Sequence, residues 1–460
     1  MSNAARSLAA ALAAGREEEQ AELGAYLHDL TAQAQSGRLS PVVGRESEIL
    51  QVLEVASQRR KANAVLIGPA GAGKTAVAEG LAQLCALHGE RLPGHLRGLR
   101  ILQLDVGAIM AGAGVYGTVE QRMGMVLRAA EAPGTLLFID ELHTLVGAGG
   151  RAGQNDLAQW LKPHLARGDL RVLAATTAEE YHQIIARDAA MERRFSPIYI
   201  RPMSDAAALR ACESHARWLK LNTPPPQLRP VLRHVVALAR RLLRHRSMPD
   251  AAIDLLERSV AIAQLADKPL ARAHVAQAAA RLSHLPEDLL RRLRVSQRTP
   301  GARGPVAEGD DAVVRRGVAQ ACAHLLALFS AAAPPSPDHA ACMVEVPGSD
   351  SVGRRVADRL AMLLETQVVE LDAELSEREV YGAEPGYIGH GQRRPIHRLQ
   401  DQPFAAVHLR GAAQGASGRR LLSDLRGGAF TDTEGRQIPV HLAVISTEGG
   451  ARAPMGFTAR

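Results

Sequence analysis

The run AVLIGPAGAGKT, residues 64–75, restricts this chain more than any other stretch of it. An apolar segment enters a loop of glycine, alanine and proline, and Lys74-Thr75 then opens the helical stretch TAVAEGLAQLCAL. Strand, glycine loop, Lys-Thr and helix in that order match GxxxxGK[ST]. In such a loop the glycines let backbone N–H groups curl around phosphate oxygens at a helix N-terminus. Gly68, Pro69, Ala70, Gly71, Ala72 and Gly73 are the predicted cradle, with Lys74 meeting the β- and γ-phosphates and the Thr75 hydroxyl ligating Mg²⁺.

The rest of the N-terminal half supplies a sheet for that loop. Short apolar runs at 64–68, 100–106, 135–140, 170–176 and 196–200 alternate with amphipathic stretches, which reads as an α/β fold with buried parallel strands. One of these runs, LLFIDEL, delivers two consecutive carboxylates at its end. Asp140 is placed to hold Mg²⁺ and Glu141 to orient the water that attacks a γ-phosphate. From Ser204 onward the strand pattern gives way to leucine and alanine at helical spacing, and RTPGARGPVAEGDD reads as a linker. The alternation then returns in AACMVEVP, TQVVELD, FAAVHL and HLAVIS, which predicts a second sheet. The expected organisation is an N-terminal tail 1–22, a large α/β subdomain 23–203, a helical lid 204–297, a linker 298–311 and a second α/β domain 312–460.

Composition narrows the partners. Lys and Arg number 55 against 48 acidic residues, and aromatics make up 3%, a mild positive excess with little stacking capacity, so nucleic acid is not an expected partner. Cys85, Cys212, Cys322 and Cys342 form no CxxC pair and imply neither a zinc site nor a disulfide framework. No apolar stretch reaches membrane-helix length, and the Ala-rich start only loosely imitates a signal peptide, so a cytoplasmic location is expected.

Taken with their spacing, several segments resemble the Clp/heat-shock unfoldases of the AAA+ class: LTAQAQSGRLSPVVGRESEI, AVLIGPAGAGKTAVAEGLA, LFIDELHTLVGAGG, NDLAQWLKPHLARGDLRVLAATTAEEY, RDAAMERRF and MPDAAIDLLERS. The resemblance covers roughly Leu23 to Leu265. It implies an ATPase that works as a hexameric ring, binds ATP and Mg²⁺ between subunits, and remodels a polypeptide client. Carried over by position, Thr177 resembles the sensor near the γ-phosphate. Arg193 and Arg194 resemble the fingers that reach a neighbour's site, and Val42 and Val43 part of the adenine pocket, closed near Pro249 and Asp250. Val115 and Tyr116 fall in a segment resembling the pore loop. Most relatives carry an aromatic at the place of Val115, whereas the ClpV branch, which disassembles secretion sheaths, carries valine.

The second α/β domain resembles the second AAA+ domain of these proteins in a degenerate, truncated form. GSDSVGRR, Gly348 to Arg355, stands where a phosphate loop belongs, and Arg410-Gly411 stands where Asp-Glu belongs, so no hydrolysis is expected there. The expected chain also lacks an N-terminal adaptor domain, the long coiled coil of ClpB and a second lid. Two further partners follow as alternatives, a full-length Clp ATPase that this chain joins as a regulator and a secretion sheath; Met455-Gly456-Phe457 has the form of the tripeptide that docks protease-coupled relatives on ClpP, and the expectation is an unused relic.

Overall fold

The computed structural model describes residues 22–58, 62–111, 118–147, 157–221, 225–243, 246–283, 285, 310–328, 342–347, 349–382, 394–401, 405–411, 416–433 and 437–447. Two compact units emerge. The first is formed by residues up to Leu221 together with Ser247–Ile253, and the second by Asn222–Arg246 and the chain from Asp254.

The first unit is built on six strands: β1 (Leu27–Asp29), β2 (Asn63–Ile67), β3 (Arg100–Leu104), β4 (Thr135–Ile139), β5 (Val172–Thr176) and β6 (Phe195–Tyr199), in the order β1-β3-β4-β5-β2-β6. Every residue of β2, β4 and β5 is buried, as strands covered on both faces require. Side chains nevertheless alternate. Val65, Ile67, Leu137 and Ile139 join one apolar cluster, and Ala64, Leu66, Leu136 and Phe138 join another on the opposite face. Each of these side chains except that of Ala64 contributes roughly 1.5–3 kcal/mol by leaving water.

The sheet is mixed, which corrects the expectation of a wholly parallel one. β2 to β6 run parallel, but β1 lies antiparallel on β3, pairing Leu27 with Leu104 and Asp29 with Leu102. Its sequence, LHD, has no apolar run to announce it. Asp29 finishes the strand by accepting from Ala32 N at 2.9 Å and so capping the following helix, Leu30–Gln35. Because β2, β4 and β5 are parallel neighbours, the segments leaving their C-terminal ends lie side by side, the position where ligands of open α/β sheets bind.

The second unit has an all-parallel sheet of β7 (Cys342–Pro347), β8 (Val368–Asp372), β9 (Ala406–Arg410) and β12 (Leu442–Thr447), in the order β7-β12-β9-β8. A separate antiparallel hairpin pairs β10 (Ala429–Thr431) with β11 (Gln437–Pro439), which the apolar pattern did not predict. Helices Pro225–Leu242, Arg272–Leu282, Asp310–Leu328 and Asp350–Leu364 also belong to this unit. No helix among the described residues is long and apolar enough to cross a membrane.

Candidate functional site

The loop Gly68–Gly73 joins β2 to the helix Lys74–Leu87. Gly71 and Gly73 take φ of 72° and 91°, the left-handed region that side chains resist. Space is also short: a Cβ on Gly68 would run into the carbonyl of Ile200, and one on Gly71 would lie 3.0 Å from the Cβ of Asp250. Beneath the loop sits Arg45, only 4% exposed, donating to the carbonyls of Ala72 at 2.5 Å and Arg201 at 2.8 Å and to Glu48 at 2.5 Å. The loop is thus tied from below to the chain leaving β6.

Lys74 Nζ donates to the carbonyls of Gly68 at 2.9 Å and Pro69 at 3.1 Å. Burial holds this ammonium below the usual lysine range, and the negative charges of Asp140, Glu180 and Glu141 oppose that effect. Thr75 Oγ1 donates to Asp140 Oδ2 at 2.7 Å, so a hydroxyl and a carboxylate, hard oxygen ligands of the kind Mg²⁺ takes, already meet at the loop's exit. Glu141 follows with φ of 54°, and its carbonyl accepts from the Thr144 hydroxyl at 2.9 Å.

β5 brings the third element. Thr177 is the N-cap of the short helix Ala178–Glu180, its hydroxyl accepting from Glu180 N at 3.3 Å. A cleft of about 480 Å³ is lined by Ala70, Gly71, Gly73, Lys74, Thr75, Asp140, Glu141, Thr177, Pro249 and Asp250, among others. The structure therefore brings together most of the residues singled out from the sequence.

Others lie elsewhere. Val42 and Val43 do not line this cleft. Val42 packs against Gly80 of the Lys74–Leu87 helix, and its N–H donates to Gln83 Oε1 at 3.3 Å. Arg193 is exposed and Arg194 half-buried, just before β6 and away from the cleft of their own chain. Val115, Tyr116 and the Met455-Gly456-Phe457 tail lie outside the described residues.

Sequence reasoning missed His143 and Glu180, both of which line the cleft, and the buried clamp Arg45. It also missed Glu79, whose carboxyl is pushed up by burial and by the charge of Asp140. For Glu180 a signal existed: Thr177-x-x-Glu180 is a capping-box pattern.

The corresponding place in the second unit differs in backbone as well as in side chains. Ser349 precedes a helix that already begins at Asp350, so Arg354 and Arg355 stand inside the helix rather than at its first turn. Arg354 is paired with Asp358 at 2.9 Å and Glu370 at 2.5 Å, and Arg355 with Asp311. Arg410 is paired with Asp372 at 2.6 Å. Buried His408 bonds Ser446 at 2.9 Å directly under Gly353, where a Cβ would collide with the serine hydroxyl.

Residues 64–202 match the family described as "ATPase family associated with various cellular activities (AAA)". The chain is 41% identical over 262 residues to Heat shock protein 100 of Trypanosoma brucei brucei, a match covering 55% of this chain and 30% of that protein. Chaperone protein ClpB of Bdellovibrio bacteriovorus is 42% identical over 243 residues, 52% of this chain and 28% of its own length. The S. cerevisiae Hsp104:casein complex in its extended conformation superposes with a TM-score of 0.71 at 29% identity, covering 93% of this chain and 75% of that one. The chain spans under a third of the length of these two curated relatives. A mixed sheet with a glycine loop, Lys-Thr and paired carboxylates at its C-terminal edge defines an AAA+ module of the P-loop class. Within that class, the matched part of the chain is similar to Clp/Hsp100 proteins, with ClpB and Hsp104 among those it resembles.

Proposed function

We propose that this chain hydrolyses ATP in its first unit and uses the cycle to remodel polypeptides. The observation that carries the proposal is the meeting of Lys74, the Thr75–Asp140 pair and Glu141 at the ends of β2 and β4. Thr75 and Asp140 would hold Mg²⁺, which when bound supplies charge neutralisation on the phosphates. Lys74 orients the phosphates at the helix N-terminus, the Glu141 carboxylate orients and polarises the attacking water, and Thr177 reads the γ-phosphate. Arg193, exposed, and Arg194, half-buried, both outside their own cleft, suit a role in a neighbouring copy of the chain, within a nucleotide-promoted ring that we expect to be hexameric.

The second unit is proposed as a non-hydrolysing relative of the first that supports assembly, since its arginines are committed to carboxylates and its helix has absorbed the loop. The narrower reading beside ClpV and sheath disassembly has Val115 as its sole support, and the relatives above are an Hsp100, a ClpB and Hsp104. The proposal is therefore polypeptide remodelling in general, consistent with the casein complex of Hsp104.

The test is Mg²⁺-dependent phosphate release by the purified chain, with and without an unfolded polypeptide such as casein. Glu141→Gln is expected to retain nucleotide while turnover falls by about 10²–10⁴-fold, the usual worth of a positioned acid or base. Lys74→Ala is expected to lose binding. Turnover that survives Glu141→Gln would refute the assignment. A chain that binds ATP without hydrolysing it, and co-assembles with a full-length Clp ATPase, would favour the regulatory reading.

A further inference from the structure

The cleft contains one carboxylate that phosphate binding does not call for. Glu180 lines the same wall as Thr177, and an anion facing a polyphosphate is repelled by it unless its charge is committed to other groups. Here it is committed. Glu180 Oε2 accepts from the Thr176 hydroxyl at 3.0 Å and from Thr177 N at 2.9 Å, and lies 3.0 Å from His143 Nδ1. Burial raises this carboxyl, yet the bonds from Thr177 and Thr176 and the nearby His143 outweigh it and hold Glu180 below the usual carboxylate range.

Ordinary helix capping accounts for only part of the arrangement. The helix that Thr177 and Glu180 cap runs from Ala178 and continues as a π-helical turn from Tyr181 to Ile185, which explains the bonds between Thr177 and Glu180 but neither the bond from the Thr176 hydroxyl nor the approach of His143. What the carboxylate does fix is the end of β5, through Thr176 and Thr177, and it draws in the His143 ring of the turn after β4, an ion-pair contact made while that ring carries its proton. Thr177 is held at both its N–H, which donates to the Glu180 carboxylate, and its hydroxyl, which accepts from Glu180 N.

We propose that Glu180 is a positioning residue for nucleotide hydrolysis, joining the Thr177 loop to the His143 turn at the cleft wall that Glu141 also lines; this rests on the ATPase reading above. Glu180 acts through Thr177 and His143, so losing it disturbs the alignment of the reacting groups more than nucleotide binding, which depends on the Lys74 loop.

The experiment measures kcat and nucleotide affinity for wild type, Glu180→Ala, Glu180→Gln, Thr177→Ala and the Thr177→Ala/Glu180→Ala pair. Glu180→Ala is expected to lower kcat by roughly 10–100-fold with nucleotide affinity within about twofold of wild type. Glu180→Gln, whose carbonyl still accepts from Thr176 and Thr177, is expected to recover most of that loss. In the double variant Glu180→Ala should cost much less than it does alone, since its effect passes through Thr177. Full additivity, an affinity loss in step with kcat, or no rescue by glutamine would each overturn the proposal. Silence of Glu180→Ala in an active chain overturns the proposal alone, whereas a wild type without turnover removes the ATPase reading and the proposal with it.

Discussion

Replacing Arg45 by methionine keeps much of the side chain's volume while removing a guanidinium that is only 4% exposed. Glu48, itself 13% exposed, then loses its cation, and the carbonyls of Ala72 and Arg201 lose their shared donor. Breaking a buried ion pair by deleting one partner costs about 3–5 kcal/mol. For a unit of this size about 1 kcal/mol moves the melting point by roughly 2–4 °C, so a drop of roughly 6–20 °C is expected. Trp160 and Trp218, the chain's 2 tryptophans, both fall in the first unit, so tryptophan fluorescence during heating follows that unit selectively. Arg100→Met is the control. Its 2.8 Å pair with Asp29 has an arginine 59% exposed, and such surface pairs contribute at most about 1 kcal/mol. The gap should also respond to acid. Burial raises Glu48, but the bonds from Ser47 and Arg45 outweigh it and leave the carboxyl below its ordinary 4.5. A depressed carboxyl stabilises the fold above its unfolded value and loses that contribution as pH falls through the folded one, so the difference between wild type and Arg45→Met should narrow below about pH 4.5 to the part due to the Ala72 and Arg201 carbonyls. A melting change no larger than that of Arg100→Met would refute the claim that Arg45 clamps the loop.

The second unit should bind no nucleotide of its own. Calorimetric titration with an ATP analogue is expected to give one site per chain, and Arg354→Ala should leave turnover unchanged; two sites, or a fall matching that of Glu141→Gln, would contradict the reading of its ion pairs. All four cysteines are buried, and burial pushes Cys85 up to about 11 and Cys212 and Cys342 up to about 12. A thiol-specific chromogenic reagent at pH 8 should therefore label none of them in the native chain and all four in denaturant, and rapid labelling before unfolding would show that these thiols are accessible.

Much of this architecture was legible because buried parallel strands announce themselves. AVLI, TLLFI and VLAAT are continuous apolar runs, and each was placed within two residues of its observed start. The loop and its carboxylates were legible for the same reason, since each sits where such a run stops. β1 was invisible because a three-residue edge strand flanked by helix has neither period nor length to detect. Arg45 could not be found among so many arginines, because what distinguishes it is burial, and burial is decided by residues far along the chain such as Arg201. In GSDSVGRR the residue pattern pointed to a loop, while the helix starts at Asp350, whose carboxylate suits the first turn through the helix dipole.

Glu141 is built on a backbone that disfavours it. At φ of 54° a residue with a Cβ is strained by about 1–3 kcal/mol, and glycine is not. Random substitution followed by selection for thermal resistance should therefore recover Glu141→Gly as an improvement, in a chain that no longer turns over ATP. Stability screens and activity screens will pull in opposite directions at this position, and an engineer who ranks variants by melting temperature alone will discard the residue to which we assign the attacking water.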